Sequence, residues 1–530
     1  MKRWNGWGDN KVVFPLTSSA IRYLQDHLGK GSILPDCSLE SILERIPPSS
    51  LPFHPLIQTD PFTRLSHARG QSLPDWIALR SGRIGTYPEG VAYPASGSEI
   101  RELYQYCKRH AVQIIPYGGG TSVVGHINPL AAYQPTVTIN TSQMKGLLDL
   151  DQTNQLAVFE AGIQGPELEE NLTKRGYTLG HFPQSFEFSS LGGWIATRST
   201  GQQSYYYGRI EALFCGGQVE TPVGTLDIPA LPASAAGPDL RHLILGSEGR
   251  FGIITRACVR IRILPEIEQF YGCFFPNWSS GLIALREIAQ AGVNASMLRL
   301  SDSLETESTL ALSGKDRLVI WAKRGLNLLG FGAERSLLLF GITGKQEEKS
   351  KIISQLMEIT KAQGGSFPIK QIGQLWKKNR FLAPYLRNTL WELGYAIDTL
   401  ETALPWSGVE ACTSSLKTVL VNQLEHLDEK VLAFAHLSHV YPDGASVYIT
   451  YLFRRADDPD ETLRRWRLLK HAASQVIVDY KGTISHQHGV GIDHAEYLAL
   501  EKGQSGMDML RAVQKSVDPQ GLMNPGKLLA

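Results

Sequence analysis

Three consecutive glycines, Gly118–Gly120, follow the apolar run Val112–Pro116. An apolar run of this length predicts a buried strand, so the glycines are expected to form a loop directly after it. Without Cβ atoms, the backbone N–H groups of such a loop can converge on an anion, and the hydroxyls of Thr121 and Ser122 would add two donors. The spacing matches neither a Rossmann turn nor a Walker loop. On its own, the loop is as compatible with a tight turn as with a phosphate site.

The length and charge of the chain exclude several classes of protein. Its 530 residues correspond to about three domains of average size. The 52 Lys and Arg residues against 51 Asp and Glu give a net charge of +1, which argues against binding nucleic acid through a general basic field. No apolar run approaches about 18 residues and no secretory signal is visible, so we expect a cytoplasmic protein.

Two patterns of secondary structure follow one another along the chain. Many prolines make residues 1–84 irregular, with a short helix expected around Ser19–Leu28. Beyond this region, strand and helix patterns alternate. From about residue 266 a second set begins, which includes a helix over Gln346–Ala362 and another that starts at Asp458 with a proline in its first position. The sequence therefore predicts an α+β protein with at least two mixed sheets.

Four further motifs follow the glycine loop. They are Pro183–Trp194, Thr197–Gly201, Gly246–Gly252 and the ending Asn524–Lys527. In this order and spacing they resemble the FAD-binding domain of the vanillyl-alcohol oxidase/PCMH-type flavoprotein superfamily, followed by its FAD-linked oxidase C-terminal region. The resemblance implies a two-lobed α+β fold that binds FAD non-covalently. The expected divisions are an N-terminal irregular and helical region (1–84), a PCMH-type FAD-binding domain (85–265), a cap domain of mixed sheet plus helices that binds the substrate (266–470), and a C-terminal helical segment that returns to the FAD-binding domain (471–530).

Three segments narrow the resemblance to one family. They are Trp4–Gly8, Gly180–Arg198 and the loop Ser485–Gly491, and they are similar to segments of the alkylglycerone-phosphate synthases, also called alkyldihydroxyacetonephosphate synthases. The resemblance implies a redox-neutral transferase that exchanges the acyl group of acyl-dihydroxyacetone phosphate for a long-chain alcohol, which yields an ether-lipid precursor. It also implies a homodimer in peripheral contact with a membrane, without a nucleic-acid partner.

The resemblance also assigns roles to single residues. Arg387 matches the family's phosphate-binding arginine, and a guanidinium suits phosphate because it offers two parallel N–H donors. Tyr448 matches the acid/base tyrosine. The other matched residues of the catalytic site are Arg299, His181, His486 and His488. The residues expected to bind FAD are Pro116, Tyr117, Gly118, Gly119, Gly120, Thr121, Ser122, Gln184, Ser185, Phe186, Glu187, Phe188, Ser189, Ser190, Thr197, Arg198, Ser199, Thr200, Gly246, Ser247, Glu248, Gly249, Arg250, Phe251 and Gly252.

The chain departs from the family pattern at Gln487. This residue stands where the middle histidine of a Ser-His-His-His-Gly loop is expected. An amide has no accessible pKa near neutrality, so it cannot act as a general base. If the middle histidine is the proton acceptor, this task moves to His486, His488 or Tyr448, or the reaction differs.

Two alternatives remain open. An FAD-linked oxidoreductase of the D-2-hydroxy-acid dehydrogenase or oxidase type would share the FAD-binding domain and the C-terminal ending. Many of these relatives have a metal site whose last ligand position is occupied here by Tyr448, and tyrosine is a poor ligand for a divalent ion at neutral pH. We therefore expect no metal and favour the transferase. A non-catalytic flavoprotein is supported only by Gln487. The residues expected to be buried supporting groups are Asp398, Glu401, His436 and His439.

Overall fold

The computed structural model describes residues 2–312 and 325–529. The α-helices that frame its sheets are Ser18–Leu28, Leu39–Leu43, Pro61–Ser66, Leu73–Ser81, Gly97–His110, Gly165–Thr173, Leu191–Thr197, Ser204–Tyr207, Ile210–Leu213, Arg241–Ile244, Trp278–Gln290, Ser303–Leu312, Lys349–Ala362, Lys370–Asn379, Ala383–Glu392, Trp406–Asn422, Pro459–Asp479 and Ala495–Val517. Within these two described ranges, no helix has the length and apolar character needed to cross a membrane.

The strands are numbered in chain order. They are β1 (Ile57–Gln58), β2 (Gly90–Ala92), β3 (Gln113–Tyr117), β4 (Thr136–Asn140), β5 (Leu147–Asp151), β6 (Leu156–Glu160), β7 (Tyr177–Thr178), β8 (Phe214–Thr221), β9 (Gly224–Ile228), β10 (Ile253–Arg260), β11 (Arg262–Ile263), β12 (Ile267–Phe275), β13 (Met297–Ser301), β14 (Ser336–Gly344), β15 (Tyr395–Pro405), β16 (Val431–Val440) and β17 (Gly444–Arg454).

The strands form three main sheets. The first has the order β1-β2-β4-β3, with β4 parallel to both β2 and β3 and β1 antiparallel to β2. The second is antiparallel and has the order β5-β6-β10-β8-β9, beside the separate pair β7–β11. The third has the order β12-β14-β13-β16-β17-β15. These sheets and their helices confirm the predicted α+β class.

The third sheet, which we call the cap sheet, is antiparallel throughout, so the prediction of a mixed sheet there is wrong. The helix Trp278–Gln290 connects β12 to β13, and such a crossover favours two parallel strands side by side. In the structure β12 and β13 are indeed parallel, but β14 lies between them and pairs antiparallel with each. Because β14, which follows β12 and β13 in the chain, lies between them, the direct parallel pairing that the local pattern favoured does not form.

Two helices predicted from the sequence begin near the expected residues. The predicted helix Gln346–Ala362 starts as a 3₁₀ turn and becomes α-helical at Lys349. The Asp458 side chain caps the helix Pro459–Asp479, as its sequence suggested. The predicted division at residue 470 falls inside this helix, which packs on the helices behind the cap sheet.

Separate hydrophobic cores lie behind the sheets. The core of the cap sheet includes Phe340 and Val447, and it also contains Trp76 of the N-terminal region. A second core lies between the five-stranded sheet and its helices and includes Phe159 and Trp194. The N-terminal region therefore packs with the cap sheet, although it precedes the first two sheets in sequence.

The last residues of the chain return to the first sheet. Ile114 of β3 donates its N–H to the carbonyl of Leu522 at 2.8 Å and accepts from the N–H of Asn524 at 2.7 Å. The Asp518 carboxylate, only 2% exposed, accepts the N–H groups of Leu522 and Met523 at 2.9 and 2.8 Å. This carboxylate therefore fixes the turn that joins the chain's end to the edge of the sheet.

We expect Asp518→Ala to lower the free energy of unfolding by about 2–4 kcal/mol, because two buried N–H groups would lose their acceptor. The control is Asp508→Ala, which removes a carboxylate that is 60% exposed in the preceding helix and should cost less than about 0.5 kcal/mol. Urea unfolding followed by circular dichroism measures both. Equal losses in the two variants would contradict the role given to Asp518.

Candidate active site

The glycine loop lies against the segment Phe188–Ser190, so two segments predicted to bind FAD meet in the structure. A Cβ atom on Gly119 would lie 1.7 Å from the carbonyl oxygen of Phe188, and one on Gly118 would lie 2.2 Å from the Ser190 hydroxyl. The backbone N–H groups of residues 119–122 donate to no acceptor within the described parts of the chain. Successive unpaired N–H groups of this kind bind anions. The loop therefore fits the pyrophosphate of FAD.

Two side chains at this loop differ from the expectation. The Ser122 hydroxyl, expected to face a phosphate, pairs with Nδ1 of His126 at 2.9 Å and accepts the N–H of the same residue. Lys2, which no sequence pattern marked, donates from Nζ to the carbonyl of Gly119 at 2.8 Å. The surrounding protein lowers the pKa of Lys2 to about 8 by desolvation. The ammonium therefore remains mostly charged at neutral pH and adds a cation to the anion site.

Arg198 and Arg250, both predicted to bind FAD, use their guanidinium groups to hold protein segments. Arg198 donates from Nε and Nη2 to the Glu211 carboxylate. Arg250 donates from Nη1 to the carbonyl of Met523, which belongs to the returning C-terminal segment. The structure thus gives these two side chains a supporting role.

The loop Ser485–Gly491 is held by two buried carboxylates. Glu401 of β15, 2% exposed, accepts with Oε1 the N–H groups of Gln487 and His488 at 2.7 and 2.6 Å. Glu248, which was predicted to bind FAD, accepts with its two oxygens the N–H groups of the loop's last two residues at 2.5 and 2.8 Å. The cap sheet and the FAD-binding region therefore each hold one half of the loop, and the supporting role expected for Glu401 agrees with these contacts.

Neighbouring strands of the cap sheet place three predicted residues in one row. The register pairs His436 of β16 with Tyr448 of β17, and Tyr448 with Glu401 of β15. The ring of His436 stacks on Tyr448 with centroids 4.7 Å apart, and the ring of His488 meets Tyr448 edge-on at 5.7 Å. Burial raises the pKa of Tyr448. The phenol therefore stays protonated at neutral pH and can donate a proton.

Arg299 of β13 is fixed by Glu305, a residue that no sequence motif marked. Its Nη2 donates to Oε1 of Glu305 at 2.8 Å, and the same oxygen lies 2.9 Å from Nδ1 of His436. Burial acts to raise the pKa of Glu305, but His436 and Arg299 hold it well below its usual value. The carboxylate therefore stays ionised and orients both neighbours.

Arg387 lies against the indole ring of Trp76, with 4.2 Å from the guanidinium carbon to the ring centroid. Its Nη1 donates to the carbonyl of Gln71, whereas Nε and Nη2 are buried without a partner among the described residues. Burial lowers the pKa of Arg387 to about 10, so the side chain remains charged at neutral pH. Two unpaired N–H groups on one charged guanidinium fit a phosphate.

The N-terminal signature Trp4–Gly8 supports the helix that carries Arg387. The side-chain amide of Asn388 accepts the N–H of Trp7 and donates to its carbonyl, both at 3.1 Å. These bonds join residues that are 381 positions apart. Because Asn388 follows Arg387 directly, the signature fixes the turn of helix that presents the guanidinium.

Two further predicted histidines lie on either side of the segment Thr197–Gly201, and one of them is contacted by Arg209, which the sequence did not mark. His181 is enclosed, with Nε2 3.2 Å from the Ser199 hydroxyl and Nδ1 unpaired in the described structure. Burial lowers its pKa to about 3, so the ring is neutral. Arg209 donates to the Thr200 hydroxyl at 3.1 Å and to the carbonyl of His486 at 2.9 Å. The structure therefore brings the histidine loop next to the Thr197–Gly201 segment.

We expect Gly119→Ala to lose most of its FAD, because the added Cβ would lie 1.7 Å from a backbone oxygen and would push the two cofactor segments apart. The control is Gly332→Ala, whose Cβ would meet nothing within 4 Å. Absorbance at the flavin band per mole of purified protein, before and after dialysis, measures retention. Full retention in Gly119→Ala would show that the loop is not the cofactor's cradle.

Two family models cover most of the chain. Residues 88–227 match the FAD binding domain, and residues 264–528 match the C-terminal domain of FAD linked oxidases. FAD is therefore the cofactor of this protein. The glycine loop and the first strands of the second sheet lie in the match to the FAD binding domain. The cap sheet lies in the match to the C-terminal domain of FAD linked oxidases.

Individual relatives narrow the family. The chain is 30% identical to the alkyldihydroxyacetonephosphate synthase of Dictyostelium discoideum, over 99% of this chain and 93% of that protein. It is 29% identical to the enzyme of the same name from Trypanosoma brucei brucei, over 99% and 92%. A solved structure of an alkyldihydroxyacetonephosphate synthase superposes with a TM-score of 0.85 at 27% identity, covering 99% and 98% of the two chains. With matches of this length in sequence and in structure, the chain belongs to the alkyldihydroxyacetonephosphate synthase family of FAD-binding proteins.

Proposed function

We propose that this chain is an FAD-dependent alkyldihydroxyacetonephosphate synthase. It exchanges the acyl group of acyl-dihydroxyacetone phosphate for a long-chain alcohol and releases a fatty acid. The observation that carries the proposal is the Arg387 guanidinium, whose Nε and Nη2 are buried without a partner among the described residues. A phosphate-bearing substrate explains such a cation.

The side chains of the site support a division of tasks. Arg387 binds the phosphate and thereby orients the carbon that reacts. Tyr448, protonated and half-buried, donates a proton to the departing carboxylate, and a neutral imidazole accepts the proton of C1. Arg299, oriented by Glu305, offsets negative charge that develops on the substrate. When bound, FAD supplies a reversible electron acceptor, so the exchange ends without net oxidation.

We also infer a homodimer that touches a cytoplasmic membrane surface, where lipid substrates reside. The family resemblance supports both features. Leu328 and Leu329 support the membrane contact, because they are 89% and 73% exposed. A light-scattering mass of one chain would contradict the dimer, and failure to float with lipid vesicles would contradict the membrane contact.

The proposal predicts that the purified yellow protein converts acyl-dihydroxyacetone phosphate and isotopically labelled hexadecanol to a labelled ether. Mass spectrometry detects the ether, and an oxygen electrode should record no consumption. If no ether forms and 2-hydroxy acids bleach the flavin under anaerobic conditions, the protein is instead an oxidoreductase of the D-2-hydroxy-acid dehydrogenase type.

We expect Arg387→Ala to raise KM for acyl-dihydroxyacetone phosphate by about 10- to 100-fold, since a hydrogen bond between charged groups contributes about 1.5–3 kcal/mol. KM for the alcohol should change little. The control is Arg464→Ala, which removes an arginine that is 48% exposed and paired with Glu461 on the surface. Initial rates with each substrate varied in turn measure both constants. An unchanged KM for the phosphate substrate would remove Arg387 from the phosphate site.

A further inference from the structure

The loop Ser485–Gly491 lacks an imidazole at Gln487, but the structure brings one to that position from the cap sheet. His439 lies at the end of β16 and approaches the loop at His486, the residue before Gln487. The ring of His439 stacks on that of His486, with centroids 5.1 Å apart and an interplanar angle of 21°. The imidazole of His439 therefore lies against the part of the loop from which the expected histidine is absent.

An irregularity of β16 accounts for this position. Residues two apart on a strand share a face, so His436 and His439, three apart, would face opposite sides of a regular sheet. The register between β16 and β17 shifts between Leu437 and Val440, as at a β-bulge. The N–H of His439, which the shift removes from the ladder, donates to the Ser446 hydroxyl at 3.2 Å. A bulge of this kind redirects a side chain, and it lets both histidines reach the active site.

We propose that His439 is the catalytic base that accepts the C1 proton of acyl-dihydroxyacetone phosphate, in place of the histidine absent at Gln487. This inference rests on the proposed function. In the step, the C1–H bond breaks, the proton moves to a ring nitrogen of His439, and the electron pair delocalises towards the C2 carbonyl. The proton returns to C1 after the alcohol has replaced the fatty acid, and the hydroxyl proton of the alcohol leaves with the fatty acid, so the exchange consumes no proton and no electron.

The surroundings of His439 suit this task. Nδ1 lies 3.2 Å from the Ser204 hydroxyl, which fixes the ring. Burial lowers the pKa of His439 to about 3, and the charges of Arg209, His436 and Arg299 act in the same direction, so the ring is neutral in the absence of substrate. The side chain of Gln487 acts in the opposite direction, and so would the negative charge of a bound phosphate, which would strengthen the base.

The competing imidazole is that of His486, and its contacts suit a base less well. Its Nε2 lies 2.7 Å from the Tyr441 hydroxyl, and Arg209 is fixed on its carbonyl. Its Nδ1 is buried and has no partner among the described residues. Burial and the neighbouring His439, Arg209 and His488 lower the pKa of His486 well below its usual value. His486 therefore provides the ring on which His439 stacks.

The test compares FAD-loaded variants for ether formation and for deuterium uptake at C1 from heavy water. We expect His439→Gln to lose at least about 100-fold in both, the contribution of a general base, while retaining its flavin absorbance. The double variant His439→Gln/Gln487→His, which returns the imidazole to the loop, should regain at least about tenfold over the single variant. His426→Gln, an exposed histidine of the same domain, should match the wild type.

A third variant keeps the inference testable if His439→Gln fails to fold. In Gln487→Glu a carboxylate would face His439 and raise its pKa. As the pH falls, the ring would then become protonated, and lose its function as a base, at a higher pH than in the wild type. The acidic limb of kcat/KM should then move upward by about one pH unit. The groups that already face the ring are Ser204, Arg209, Arg299, His436 and His486, and they are unchanged in this variant.

Activity of His439→Gln within about threefold of the wild type would overturn the inference and leave the proposed function intact. So would a Gln487→Glu profile that coincides with the wild-type profile. Wild-type protein that makes no ether would overturn the proposed function, and the inference with it.

Discussion

Two buried carboxylates set the geometry of the active site. Glu401 and Glu248 approach the loop Ser485–Gly491 from different sheets, and together they accept four of its backbone N–H groups. Each bond to a charged acceptor contributes about 1.5–3 kcal/mol. At Gly489, where φ is +88°, a Cβ would lie 2.7 Å from Nε2 of His126, so the chain passes between the lobes without side-chain volume. The histidines of the loop therefore have defined positions only when both lobes are docked.

The chemistry of the cap sheet depends on register. His436, Tyr448 and Glu401 occupy one row across three strands, and rigid strands hold such groups more accurately than loops do. The bulge in β16 adds His439 to this set without changing the rest of the row. In this way a strand of the sheet places an imidazole against that of His486 in the loop.

Local features were predicted well from the sequence. The strand before the glycine loop and the cap at Asp458 each depend on residues close together in the chain. The antiparallel order of the cap sheet was missed because β14 enters from a distant part of the chain. Contacts between residues that are distant in the chain leave no pattern in the sequence around either residue.

The side chains misjudged from the sequence share this cause. The Ser122 hydroxyl was expected to donate to a phosphate, but in the structure it pairs with Nδ1 of His126. Lys2 has no motif, yet it reaches the carbonyl of Gly119. The register shift that brings His439 against His486 was also missed, because alternation along a regular strand gives no sign of a bulge. In each case the partner was brought close only by tertiary structure.

The long-range pairings of this fold also constrain how the protein is made. On the ribosome, Trp7 emerges early but finds its partner only when Asn388 has been synthesised. The backbone groups of Ile114 in β3 find their partners later still, when Leu522 and Asn524 have left the exit tunnel. Until then the edge of the first sheet exposes unpaired backbone groups, which invites association with other nascent chains. The edge of the first sheet is therefore closed only when almost the whole polypeptide has been synthesised.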